Sequence, residues 1–124
     1  MTETQKKAAV QHVKWHEQPV EQMNSLLDRQ YVVCDRVMVA RVLMKKGCTV
    51  PEHSHENEQI AYVESGALEF TINGKSIVVR AGELLLIPPN VPHSATALED
   101  TVDLDYFQPP RQDWIDKHDD YLRR

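Results

Sequence analysis

Two histidines separated by a single residue, His53 and His55, are followed four positions on by an amide, Gln59, inside the stretch Gly47 to Gly66. Along an extended strand side chains alternate faces, so these odd-numbered residues can all point the same way. Imidazole nitrogens and an amide oxygen aimed at one point make part of a site for a divalent metal, which takes further ligands from neighbouring strands. His93 is placed to complete it. It follows Pro88-Pro89-Asn90-Val91-Pro92, whose three prolines restrict the chain and give the histidine a stiff mount. The candidate metal ligands are therefore His53, His55, Gln59 and His93. A neutral amide in this set leaves the metal's double charge uncompensated by protein, which favours an anionic oxygen from water or a carboxylate substrate and hence a Lewis-acid role. The donor set does not choose among zinc, nickel, iron, manganese and cobalt. Glu58 would displace Gln59 as a ligand only if its strand carried a bulge.

The elements that would position these residues read as strands. Gln30 to Lys45 is rich in β-branched residues and fits two strands or one bent strand. Gln59 to Val63 is a strand. Leu68, Phe70 and Ile72 alternate with polar residues before Asn73-Gly74, a strong hairpin signal, and Ile77 to Val79 return. Leu84 to Ile87, a continuous apolar run between Gly82 and Pro88, reads as a strand buried on both faces. Thr101 to Phe107 alternates, with Val102, Leu104 and Tyr106 on one face and Asp103, Asp105 and Phe107 on the other. If the second face lines an interior, Asp105 is costly there unless it meets a cation, metal-bound water or substrate, and general base is its natural use. The competing reading is a strand-edge carboxylate paired with Arg111 or Arg41.

Towards the ends the pattern weakens. Residues 1 to 9 are mostly polar and read as a flexible terminus. Val10 to Met23 contains Pro19 and only a loose apolar pattern, so it reads as a covering or edge strand, with His12 and His16 at the surface. After Pro109, residues Trp114, Ile115, His118 and Leu122 form an amphipathic stripe, which predicts a short C-terminal helix on the outside of a β domain. The organisation is one all-β domain over residues 10–108 with a helical tail over 109–124.

Composition narrows the function. The 124-residue chain carries a formal charge of −5, which argues against nucleic acid or an anionic membrane as partner. Cys34 and Cys48 lack metal or disulfide spacing and read as buried thiols. With no apolar signal core and no long apolar run, the expected location is cytoplasmic.

The stretch from Gly47 to Gly66 resembles the first cupin motif, with Gly47, His53, His55 and Gly66 in register and Gln59 where that family usually has glutamate. Gly82, Pro88 and His93 match the second motif over residues 82–97, with Asn90 for glycine and Ala97 for asparagine. Asparagine tolerates a left-handed backbone, so the first departure is mild. The resemblance implies a double-stranded β-helix, the jelly-roll barrel of RmlC-like cupins, holding one divalent metal, in a homodimer. The HSHxxEQ form and the ending from Asp105 through Phe107 to Arg111 look like the small cupins of pectin and alginate breakdown that linearise unsaturated uronates. That likeness implies site roles for Asp105, Phe107 and Arg111 and a small, carboxylate-bearing substrate. The plainer readings are that Phe107 is core and that Arg111 anchors the helix. A cupin dioxygenase, a polyketide cyclase-like enzyme and a non-catalytic ligand-binding cupin are the alternatives.

Overall fold

The computed structural model describes residues 9–124; residues 1 to 8, and with them most of the expected flexible terminus, lie outside the described residues. Ten strands follow one another: β1 (Glu21–Asn24), β2 (Leu27–Val33), β3 (Met38–Met44), β4 (Thr49–His53), β5 (Glu58–Ser65), β6 (Ala67–Ile72), β7 (Lys75–Arg80), β8 (Leu84–Ile87), β9 (His93–Ala97) and β10 (Thr101–Gln108). They form a six-stranded sheet in the order β1-β2-β3-β10-β5-β8 and a four-stranded sheet in the order β4-β9-β6-β7. All the pairings are antiparallel. The architecture is all-β, a double-stranded β-helix with one short helix, α1 (Gln112–Ile115).

Strand parity explains the core. On β3 the even-numbered Met38, Ala40, Val42 and Met44 are buried, joined on the same sheet by Ala61 and Val63 of β5 and met from the other sheet by Leu68 and Phe70 of β6. Each large apolar side chain buried this way stabilises the fold by about 1.5–3 kcal/mol. The β6–β7 hairpin turns at Asn73 (φ 53°) and Gly74 (φ 74°), both left-handed as a two-residue hairpin loop requires. Gly66 (φ 89°) is constrained twice over, because a Cβ there would collide with Asp100 and Thr101.

Four sequence expectations change. The segment from Val10 to Met23 is not one strand: Trp15–Glu17 forms a 3-10 turn, and only Glu21–Asn24 pairs at the sheet edge. Pro19, between them, cannot donate to a ladder. Leu84 to Ile87 is not buried on both faces, since β8 is an edge strand and Leu84 and Leu86 are exposed. The short C-terminal helix is present as α1, but it carries only Trp114 and Ile115 of the expected stripe. The tail breaks at Lys117 (φ 61°), resumes as a 3-10 turn over Asp120–Leu122, and covers one mouth of the barrel with Trp114 and Leu122 buried. Between the two halves of the stripe, Asp119 forms a buried ion pair with Arg29, 2.7 Å long, which a continuous exposed helix would not require. Finally, Cys48 is buried but Cys34 is exposed.

Candidate metal centre

β4 ends at His53, which pairs across the sheet with His93 at the start of β9; His55 stands in the loop beyond β4, and Gln59 lies on β5. The proline-rich loop before β9 holds Asn90 at φ 65°, and the Asn90 amide donates to the His55 carbonyl (2.7 Å), tying the two motifs together. The side-chain nitrogens of His53, His55 and His93 that could hold a metal all lie within 4.8 Å of one another. These three histidines can hold a metal ion.

Hydrogen bonding fixes which nitrogen of each ring is free. Each Nδ1 lies against a backbone carbonyl two residues away: His53 on Pro51 (2.9 Å), His55 on Asn57 (3.0 Å) and His93 on Val91 (2.8 Å). A carbonyl only accepts, so each Nδ1 carries the proton and each Nε2 presents a lone pair. His93 Nε2 is buried with no protein partner. His55 Nε2 sits 3.1 Å from Gln59 Oε1, and Gln59 Nε2 donates to Asp105 Oδ1 at 3.0 Å. Two acceptors, a ring lone pair and an amide oxygen, thus face each other. A cation between them reconciles the pair, and a second proton on the ring is disfavoured: burial first, with Arg111 and the neighbouring histidines adding, pushes His55 and His53 down to about 4. Burial lowers His93 as well. The donor set therefore fits a divalent metal, with bracing carbonyls of the kind that orient ligating histidines.

β10 brings Asp103, Asp105 and Phe107 to the inner face, so Asp105 is not at a strand edge. Its hydrogen-bond partner is Gln59, and it pairs with neither arginine named from the sequence; Arg41 lies on the opposite face, bonded to Gln30. Burial raises the Asp105 carboxyl, partly offset by bonds to Asp103 and Gln59 and by Arg111 nearby. Phe107 packs edge-on against His55 and Trp114. Arg111, only 2 % exposed, donates to both carboxylate oxygens of Asp113 (2.9 and 2.8 Å) and to the Tyr121 hydroxyl (2.7 Å), with its guanidinium over Phe107 and Trp114. It anchors the tail and faces the site at once. Glu58 is exposed, and β5 runs without a bulge at Gln59, so it does not compete as a ligand.

His53, Gln59 and His93 line a cavity of about 60 Å³, together with Arg29, Asp103, Asp105, Phe107, Arg111 and Tyr121. That is room for ordered water. Three of its features were not picked out from the sequence. Tyr121 stacks on His53 with ring centres 4.7 Å apart, and Asn57 donates to the carbonyls of Pro109 (2.6 Å) and Pro110 (3.2 Å), steering the tail over the mouth. Neither carries a motif, because both depend on how the tail folds back. Asp103 did carry a signal: it shares parity with Asp105.

A three-histidine cluster, half-buried at His53 and His55 and buried at His93, with a glutamine beside it on a double-stranded β-helix, defines the class: the chain belongs to the cupin family, whose domain model matches residues 40–107. Among individual proteins, it is 30 % identical over 102 residues to the pectin degradation protein KdgF of Dickeya dadantii, covering 80 % of this chain and 93 % of that protein. The structure of KdgF from a Halomonas species superposes with a TM-score of 0.80 at 28 % identity, over 86 % of this chain and 99 % of that one. An RmlC-like cupin from Shewanella frigidimarina gives 0.80 at 25 % identity, over 87 % and 98 %. Among the described residues no helix is long and apolar enough to cross a membrane.

Proposed function

We propose that this cupin is a metal-dependent enzyme acting on a small, oxygen-rich, carboxylate-bearing molecule, with an unsaturated uronate opened to its keto form as the preferred substrate. The observation that carries the reading is the meeting of Gln59 Oε1 with the His55 lone pair, while the same amide donates to Asp105. The likeness to a pectin degradation protein supports the substrate class. His53, His55, His93 and Gln59 would hold the divalent ion, which supplies Lewis acidity towards a substrate oxygen. Asp105 moves the proton at its carboxylate oxygen, close to the ligands and kept from bulk water. Phe107 and Trp114 wall the site with apolar surface, which strengthens every charge interaction inside it. Arg111 contributes fixed positive charge beside the substrate carboxylate. Its pairing with Asp113 holds the guanidinium in place and keeps it protonated.

The protein acts as a homodimer in this reading. Ile60, Leu84, Leu86 and Tyr106 are 37 %, 57 %, 68 % and 43 % exposed on the outer face of the six-stranded sheet. They adjoin across strands, Leu86 opposite Ile60 and Ile60 opposite Tyr106. Such a patch favours a protein partner over solvent. The first described residues cover a different part of this sheet, where Gln30 Nε2 donates to the carbonyls of Trp15 and Gln18.

Metal analysis of the purified protein with His53→Ala and His93→Ala variants tests the centre. Stoichiometric metal in the wild type and its loss in both variants are expected, together with turnover of a 4,5-unsaturated uronate by wild type only. Metal-free wild type, or variants that keep their metal, would overturn the reading. Full turnover under strict anaerobiosis with zinc or nickel is expected; a requirement for oxygen and iron would move the protein to the dioxygenases.

A further inference from the structure

Asp103 is a second carboxyl inside the barrel that the proposed reaction does not use. It lies two residues before Asp105 on β10, faces inward, and is 4 % exposed. Its register partners are Val42 on β3 and Val63 on β5, so the walls beside it are aliphatic. Its Oδ1 is buried with no hydrogen-bond partner, and among the described residues no ion pair reaches it. The group it meets is the Asp105 carboxyl. An isolated carboxylate in such a place is costly, and two touching carboxylates cost more.

We propose that Asp103 is a positioning residue: as a neutral acid it donates a hydrogen bond to Asp105, and through Asp105 it sets the Gln59 amide with Oε1 towards the histidines. The geometry runs in one direction. Asp103 gives its O–H to Asp105, and Asp105 accepts Gln59 Nε2 at its Oδ1. The amide, once its N–H is committed, can present only its oxygen to His55 Nε2. Burial, and then the neighbouring Asp105, hold the Asp103 carboxyl well above the usual carboxylate range, as a donor requires. The O–H bond also steadies Asp105 as an acceptor without bringing a cation into the site. If Asp103 lost its donor, Asp105 could swing and the Gln59 amide could turn over, presenting N–H where a ligand oxygen belongs.

The inference rests on the metal-centre reading, and it is tested by comparing Asp103→Asn with Asp103→Val. Asparagine has the shape of a neutral carboxylic acid and keeps a donor; valine matches the aliphatic walls and keeps none. Metal affinity, measured by competition with a chromophoric chelator, is expected to fall about 10-fold in Asp103→Val and to stay near wild type in Asp103→Asn. In uronate turnover, Asp103→Val should lower kcat by a similar factor with little change in KM, and Asp103→Asn should restore it. Thermal melting of Asp103→Val is expected at or above the wild-type temperature, because a buried acid has been replaced by a packed apolar group. A fall in melting temperature that tracks the functional loss would show a merely structural role and overturn the proposal. So would wild-type metal affinity in Asp103→Val, or an equal loss in Asp103→Asn. The chelator experiment needs no substrate, so wild type that binds metal but leaves uronates untouched would remove the substrate reading while the Asp103 result stood.

Discussion

The two faces of the six-stranded sheet invert what strand alternation usually delivers. Inside, where an apolar core is expected, β10 places Asp103 and Asp105 beside Gln59, all three buried. Outside, where solvent is expected, the neighbouring strands present Ile60, Leu84, Leu86 and Tyr106. Burying carboxyls costs stability and exposing leucines costs solubility, so each face departs from what folding alone would select. The inner departure is answered by a chain of hydrogen bonds converging on the histidines. The outer one has no answer within the described residues of a single chain, which is why a second copy is assigned to it.

The comparison can be broken at either face. The largest effect belongs inside: Asp105→Asn should lower kcat by roughly 10²–10⁴-fold if this carboxylate is the base, with metal content retained, and a loss of less than 10-fold would reduce it to a structural carboxyl. Outside, wild type should sediment as the proposed homodimer, and Leu86→Glu combined with Ile60→Lys as a monomer, in sedimentation velocity. Turnover per chain should stay close to wild type, since both residues point away from the cavity. A dimer unchanged by the pair would place the interface elsewhere. The smallest effect concerns the metal-free protein. His53 and His55 are held at about 4 against an ordinary value of 6.5, so between these limits the unfolded chain binds protons that the folded chain refuses. The rings therefore draw the stability of the metal-free protein down as pH drops from about 6.5 to about 4, against the raised Asp103 and Asp105 carboxyls, so the denaturation midpoint should fall more steeply once both are replaced by asparagine. A flat profile in that Asp103→Asn, Asp105→Asn background would mean the rings take up protons in the folded state.

Much of this was legible in the sequence because it is local. The spacing of His53 and His55, the turn at Asn73-Gly74 and the parity of Asp105 with Phe107 each depend on a few adjacent residues and on strand geometry. Asn90 was readable too, since few side chains tolerate a left-handed backbone. What misled was the assumption that an apolar run such as Leu84 to Ile87 must be buried: composition reports which residues avoid water, not what covers them. The tail was illegible for the opposite reason. Its apolar stripe is buried at Trp114 and Leu122, but the chain between them meets Arg29, some ninety residues earlier, through the ion pair with Asp119. No window along the chain contains both partners. Asp103 was in view and passed over, because parity marks a face without saying which of its members matter.

The bracing of the histidines has one more consequence. Each ring has its Nδ1 on a carbonyl two residues from it in its own chain segment, Pro51, Asn57 or Val91. Each ring thus keeps its own tether when a neighbour is replaced, but the three share one site, with their ligand atoms within 4.8 Å of one another. The losses in metal affinity from single replacements should then be strongly non-additive in a double-mutant cycle, because one replacement already removes most of the binding. Local tethers of this kind let the three rings be oriented before any ion arrives, so little rearrangement is left for binding to drive.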